Sequence, residues 1–365
     1  KIFTVEINQK IKPFKKQITV DSDKSLSIRS FLIGSICQGV SNVDNVLESD
    51  DVMSAVAVCK KLGIKIKKIK PKSYRIFGNG LGSFSAKKNA ELYFGNSGTA
   101  SRLIVGALST SPDIQVKLNG DHSLNKRNMK KLINLMEKFG AFFLPRNKYT
   151  FPLKMVSSKF PIGINYVTDV SAQLKSAVIL AGLNSYGNTT IKEYIRSRDH
   201  TENLLHNNSQ AIKIKNKGKK TITVYGKKFL NPFNIIVSGD PSSAAFFVAL
   251  TLLVKGSSLK IKNVGLNPTR TGFFEILKKQ KVKIKFTNKK KRNNEIIGDV
   301  FIKSCNLKPI HAPASIYPKT TDEYLILFVI AALTKGVSSF KGISDLANKE
   351  SSRAKEMKKI LAQIG

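Results

Sequence analysis

Five times along the chain a short cluster of small polar residues runs into an apolar stretch of about ten residues, at intervals of roughly 70 to 80. The clusters are Ser22-Asp23-Lys24-Ser25, Asn96-Ser97-Gly98-Thr99, Ser171-Ala172-Gln173, Asp240-Pro241-Ser242-Ser243 and Thr320-Thr321-Asp322-Glu323. Ser, Thr, Asp and Asn accept from the free amides of a first helical turn, so each cluster predicts a helix start. Such starts receive anions. Each repeat continues through a Gly turn and a β-like run into a charged helix, as at 128–140 and 349–365, both ending in Gly. The β-like runs at 114–118, 190–191 and 259–264 alternate with segments of 3.6-residue period, which predicts an α/β fold of repeated βαβ-like units.

The longest apolar runs, 246–254 and 324–333, are too short to cross a bilayer and read as buried helices. No Pro/Gly/Ser-rich linker divides the chain, so a domain boundary is expected at a repeat junction, best near 237–240. The chain begins without Met and its last helix stops at Gly365, so both ends read as cut. A sixth unit of about 70 residues is the expected continuation.

A length of 365 residues, 41% hydrophobic and 24% charged, suits a globular protein of two domains. The N-terminus alternates apolar with polar residues and has no signal-like apolar segment, which predicts a cytoplasmic protein. Cys37, Cys59 and Cys305 are odd in number and widely spaced, so buried free thiols are expected rather than disulfides or zinc ligands. His122, His200, His206 and His311 lack metal-ligand spacing, and no metal is expected. The net charge of +38 raises nucleic-acid binding as a possibility. Lys outnumbers Arg by roughly five to one and is spread over the whole chain, which fits compositional drift on solvated faces better than a binding groove. The densest run, 289–292, reads as an exposed hairpin loop.

Cations and acids gather at the predicted helix starts. Lys24 sits at the mouth of the first, with Arg29 one turn further on the Ser25 face. Two glycines flank the second cluster, which ends in Arg102, and Arg127 follows another cap at Asp121. Ser171-Ala172-Gln173-Leu174-Lys175 and Ser197-Arg198-Asp199-His200-Thr201-Glu202 belong to the third unit. Asp322 opens the most apolar helix, as an N-cap or as a general base. Each cluster alone also suits an ordinary capped helix. Taken together they imply electrostatic and acid/base chemistry on small, multiply anionic substrates.

These motifs, with Gly239-Asp240-Pro241-Ser242-Ser243, Asn267-Pro268-Thr269-Arg270-Thr271-Gly272 and Lys349-Glu350-Ser351, resemble the 5-enolpyruvylshikimate-3-phosphate synthase family from about Asp21 to Met357. S-A-Q-x-K, R-x-H-x-E and N-x-T-R resemble the subclass described as less sensitive to glyphosate, while Gly98 is the residue associated with sensitive members. The resemblance implies a two-lobed enolpyruvyl transferase fold of repeated βαβαββ units, five of six present. One lobe would span 21–237, and the other would combine 1–20 with 238–365. It implies that Lys24, Ser25, Arg29, Ser171, Ala172, Gln173, Arg198, Asp322 and Lys349 hold shikimate 3-phosphate. Lys24, Asn96, Gly98, Arg127, Gln173, Glu350 and Arg353 would hold phosphoenolpyruvate. Asp322, Glu350 and Lys24 would be catalytic, in a monomer that needs no cofactor and no metal.

The chain departs from the family at Ser22, Asn128 and Ser352, where Gly, Pro and Asp are usual. The family's last unit, with an Asp-His-Arg motif and a late Lys, is not in the sequence, so a sheet edge and a helix face are expected to lie uncovered. Three rival readings stand beside this one. The first is UDP-N-acetylglucosamine enolpyruvyl transferase, disfavoured because no Cys lies between Cys59 and Cys305. The others are a basic nucleic-acid-binding protein and a non-catalytic truncated remnant.

Overall fold

A computed structural model describes residues 6, 8–348 and 352–363. Strand β1 (Lys15–Thr19) comes first, followed by α1 (Lys24–Ile36), β2 (Gln38–Asp44), α2 (Asp50–Lys61), β3 (Lys65–Lys70) and β4 (Ser73–Asn79). A second unit is β5 (Ala90–Tyr93), α3 (Gly98–Ser109), β6 (Gln115–Asn119), α4 (His122–Asn125), α5 (Lys130–Lys138), β7 (Phe142–Leu144) and β8 (Leu153–Val156). A third is β9 (Asn165–Thr168), α6 (Ala172–Leu183), β10 (Asn188–Glu193), α7 (His200–Leu204), β11 (Ile212–Lys217) and β12 (Lys219–Tyr225). After β13 (Asn234–Ile236) come α8 (Pro241–Leu253), β14 (Ser258–Gly265), α9 (Gly272–Lys279), β15 (Ile284–Arg292) and β16 (Glu295–Lys303). The described part of the fifth unit has β17 (His311–Ala312), α10 (Tyr324–Ala332), β18 (Ser339–Phe340) and α11 (Arg353–Gln363).

The repeat is visible in sheet order. The second and third units form sheets β5-β6-β8-β7 and β9-β10-β12-β11, each with a parallel first pair and antiparallel remainder. The other two four-stranded sheets have the same plan but take their first strand from far away in sequence. β13 lies parallel to β2, with Asn234 opposite Asn42, and β1 lies parallel to β14, with Lys15 opposite Ser258. The chain therefore crosses twice between sheets. The crossings lie side by side, because the Asp23 amide donates to the Ser238 carbonyl at 2.9 Å and the Asp240 amide to the Asp21 carbonyl at 2.8 Å.

Buried apolar side chains form two clusters, one drawn from Leu26 to Val237 and one from Ala244 to Leu346 with Phe14, Ile18 and Val20 against it. In the larger core α1, α3 and α6 are buried along most of their length, and α3 packs on both α1 and α6. The α3/α6 approach is close enough that a Cβ on Gly106 would stand 2.6 Å from the Ala177 carbonyl oxygen.

Three expectations need correction. The runs 246–254 and 324–333 are only half buried: Phe246 is 63% exposed, and on α10 only Tyr324, Leu327 and Ile330 are buried. α8 packs on β14, β16 and α10, and α10 packs on α8 and α11, so the outer apolar faces of both stay open. Lys289 to Arg292 belong to strand β15, and the hairpin turn is Asn293-Asn294, both with positive φ. Cys37 and Cys59 are buried free thiols pushed up to about 12 by burial, whereas Cys305 is half-buried.

Candidate active site

Four of the five predicted caps form. Asp23, Ser97, Ser171 and Asp240 each accept from an amide of the first turn of α1, α3, α6 and α8. Asp23 holds the Leu26 amide at 2.8 Å, which fixes Lys24 and Ser25 on the first turn of α1. The Lys24 ammonium meets Asp51 at 2.7 Å from the start of α2. Arg29 turns inward. It donates to the Ser25 carbonyl at 3.0 Å, to Thr201 on α7 at 2.9 Å and to Ser176 on α6 at 3.3 Å. Burial draws its pKa down to about 10, against the pull of Asp23 and Glu202, and it stays a cation at neutral pH. Arg29 thus ties α1 to α6 and α7 beneath the mouth of α1, with much of its donor capacity already engaged.

The α3 and α6 mouths share a polar lattice. Gln173 donates to Thr99 at 3.0 Å and accepts from Arg102 at 3.0 Å, and Arg102 also reaches the Gly98 carbonyl at 3.0 Å. Arg127 donates to the Asn96 side chain. A Cβ on Gly98 would stand 2.4 Å from Arg127 Nη1 and 2.7 Å from Arg102 Nη1, so the missing side chain is what lets both guanidinium groups approach the helix start. Asn96, Gly98, Arg127 and Gln173 are therefore together, with half-buried Ser171 and Ala172 at the start of α6. Asn128 accepts from the Lys130 amide at 2.8 Å, supporting the entry to α5.

The fifth cluster is not a cap. It forms a turn, α10 starts at Tyr324, and no side chain caps it. Asp322 is instead free to bind arginines: Arg198 at 2.6 Å and Arg353 at 3.3 Å, with 36% of its side chain exposed. Burial opposes its ionisation, but Arg198, Arg270 and Arg353 outweigh that and hold the carboxyl far below the usual range. Glu323, one residue on, is buried, and that burial together with repulsion from Asp322 raises its pKa to about 7 against Arg270, Arg198 and Ser242. It accepts from Ser242, and its Oε2 has no partner among the described residues. Lys349 and Glu350 lie outside the described residues.

Sequence reasoning passed over the charges behind these mouths. Lys175 lies 2.8 Å from both Glu193 and Glu202, and Lys220 lies 3.0 Å from Glu202, all four within the larger core. Arg270 meets Asp23 at 2.8 Å and Asp240 at 2.9 Å, and His200 meets Glu295 at 2.8 Å. The signal was present as motif letters. The Lys of S-A-Q-x-K pairs with the Glu of R-x-H-x-E, and the Arg of N-x-T-R grips the cap of α1. A cavity of about 600 Å³ lies elsewhere, lined by residues such as Arg196, His206, Lys213 and Thr269, and neither Lys24, Arg127 nor Asp322 borders it.

The α1, α3 and α6 mouths belong to the larger core, and Asp322 stands just before α10 of the smaller. They are connected through α7, where Arg198 stands two residues before His200, and through Arg270. Repeated four-stranded sheets around two cores, joined by paired crossings, define an enolpyruvyl-transferase type of fold. The fold of an enolpyruvyl transferase, NikO from Streptomyces tendae, superposes with a TM-score of 0.63 at 12% identity, over 89% of this chain and 74% of that one. A family model for EPSP synthase (3-phosphoshikimate 1-carboxyvinyltransferase) matches residues 8–365, and the chain belongs to that family.

The 3-phosphoshikimate 1-carboxyvinyltransferase of Zymomonas mobilis is 37% identical over 361 residues, 98% of this chain and 79% of that protein. The enzyme of the same name from Thermodesulfovibrio yellowstonii is 39% identical over 98% of this chain and 83% of its own length. A solved EPSP synthase from Acinetobacter baumannii superposes with a TM-score of 0.83 at 36% identity, covering 95% of this chain and 78% of that one.

Proposed function

We propose that the protein transfers the enolpyruvyl group of phosphoenolpyruvate to the 5-hydroxyl of shikimate 3-phosphate, releasing phosphate. The observation that carries this reading is Asp322, an acid held ionised between Arg198 of one core and Arg353 of the other. In the proposed assignment Lys24, Ser25, Arg29, Ser171, Ala172, Gln173, Arg198, Asp322 and Lys349 hold shikimate 3-phosphate. Lys24, Asn96, Gly98, Arg127, Gln173, Glu350 and Arg353 hold phosphoenolpyruvate. The cations offset repulsion between two anions that must touch.

Asp322 takes the proton of the 5-hydroxyl as that oxygen bonds to the enolpyruvyl carbon, and the methylene gains a proton under Lys24 and Glu350. The tetrahedral ketal phosphate then loses phosphate and a methyl proton. A carboxylate gripped by two arginines is a weak base. Substrate phosphate and carboxylate groups compete for Arg198 and Arg353, and each arginine drawn away returns basicity to Asp322 when the hydroxyl is in place.

The proposed lobes are 21–237 and 1–20 with 238–365, supported by the two cores and by β1 completing the sheet of β14. Among the described residues no helix is long and apolar enough to cross a membrane. A cytoplasmic monomer acting on small molecules, without nucleic acid, completes the reading.

Phosphate release from phosphoenolpyruvate plus shikimate 3-phosphate tests it. Asp322→Asn is expected to lower kcat about a hundredfold in a variant that still unfolds cooperatively. Undiminished turnover in that variant removes the base assignment.

A further inference from the structure

We propose that Arg270 is a positioning residue for the transfer: its buried guanidinium holds the first turn of α1, which carries Lys24 and Ser25, in register with the turn that presents Asp322. Nη1 donates to Asp23 Oδ2 at 2.8 Å, while Asp23 Oδ1 caps the Leu26 amide at 2.8 Å. Nη2 donates to Asp240 Oδ1 and to Ser242 Oγ, both at 2.9 Å, and Asp240 Oδ1 also caps the Ser242 amide at 2.8 Å. Ser242 Oγ in turn donates to Glu323, the residue between Asp322 and α10. The starts of α1, α8 and α10 thus converge on one side chain.

The placement gives this convergence its consequence. Asp23 and α1 belong to the larger core, and Arg270, α8 and α10 to the smaller. The grip sits where the chain crosses between them, beside the Asp23–Ser238 and Asp240–Asp21 backbone bonds. Arg270 is 3% exposed and Asp23 2%. A planar fork with donors in fixed directions satisfies two carboxylates and a hydroxyl at once, which a single ammonium cannot do. Site residues drawn from two cores need a pivot stiffer than a pair of loops, because a displacement of about 1 Å is enough to cost a hundredfold in rate.

This inference rests on the reading that the α1 mouth and Asp322 act on the same substrates, so its test has an arm independent of turnover. Arg270→Lys and Arg270→Gln are prepared with Asp23→Asn and the double variant Asp23→Asn/Arg270→Lys. Urea unfolding identifies the folded ones. Arg270→Lys, which keeps the charge, is expected to unfold cooperatively, to lose about ten- to a hundredfold in kcat, and to change each KM by less than about threefold. The double variant is expected to lose no more than the larger single loss, because both changes break one contact. Amide exchange at Leu26 and Ser242 is expected to quicken while that of Ile133 in α5 does not. Wild-type kcat in folded Arg270→Lys, or single losses that multiply, overturns the proposal. A wild-type chain that releases no phosphate defeats the functional reading alone. The pivot is then judged by exchange, and unaltered rates at Leu26 and Ser242 overturn it.

Discussion

Two clusters of buried charge, each anchored by different motifs, are held in opposite ways. Lys175, Glu193, Glu202 and Lys220 sit inside the larger core as two cations and two acids, with side chains no more than 7% exposed. At the junction of the cores Arg270 faces Asp23, Asp240 and, through Ser242, Glu323, while Asp322 beside them is held by Arg198 and Arg353. The first cluster is matched in charge. The second is short of cations, so its acids cannot all ionise alike. Burial and mutual repulsion push Asp240 and Glu323 up, while the arginines overcome burial to pull Asp23 down to about 2 and Asp322 lower still. Matched buried charge cements a core. Unmatched charge separates neighbouring acids into proton holders and proton acceptors, the condition that acid/base chemistry uses.

If that contrast holds, the largest effect comes from unbalancing the cemented cluster. Burial opposes ionisation of Glu202, but Lys175 and Lys220 win and bring its pKa down to about 2. Glu202→Ala leaves two buried lysines facing one acid and is expected to cost about 3–5 kcal/mol of stability. Urea unfolding at neutral pH measures it. A loss below about 1 kcal/mol would mean that the cluster is hydrated and the contrast false.

The next effect tests the other side through pH. Glu323 titrates near 7 in the fold against 4.5 in the unfolded chain, so the folded state holds the extra proton between those values. Its contribution favours folding fully below about pH 4.5 and is lost as pH rises through 7. Glu323→Gln has no such proton to lose. Between pH 5 and pH 8 the variant is expected to gain about 2–3 kcal/mol relative to wild type, read from urea midpoints at each pH. Parallel pH profiles would place an ionised Glu323 in the fold and remove the shortage of cations on which the contrast depends.

The repeat was legible because capping chemistry and apolar length are local properties. Asp23, Ser97, Ser171 and Asp240 cap as their sequence predicts. The fifth cluster misled for a physical reason: Asp322 stands next to two long-range arginines that outcompete a first-turn amide for its oxygens. Strand exchange was not legible, since nothing local in residues 15–19 says that they pair with Ser258 to Lys262. Helix burial was over-read on α8 and α10, because hydropathy shows what a segment can bury and not how many neighbours it finds. Arg270 was written in the N-x-T-R motif, but its partners stand 247 and 30 residues away. Lys24, Arg102 and Arg127 were recognised as cations at helix starts, while Asp51, which meets the Lys24 ammonium, carried no signal beyond helical spacing.

The smallest effect belongs to the helix mouths, which are part of neither buried cluster. In Gly98→Ala the new methyl would meet Arg127 Nη1 at 2.4 Å and Arg102 Nη1 at 2.7 Å. Both contacts fall on the tips of flexible side chains, so the guanidinium groups move and the backbone does not. Stability is expected to change by less than about 1 kcal/mol. Arg127 is displaced from Asn96, and Arg102 from the Gln173 that it steadies. The KM for phosphoenolpyruvate is expected to rise about fivefold with kcat nearly constant, the sign of binding lost equally from ground and transition states. Steady-state kinetics at saturating shikimate 3-phosphate measures it. A fall in unfolding free energy as large as that of Glu202→Ala would place Gly98 among the residues that cement the core and erase the distinction between mouth and core.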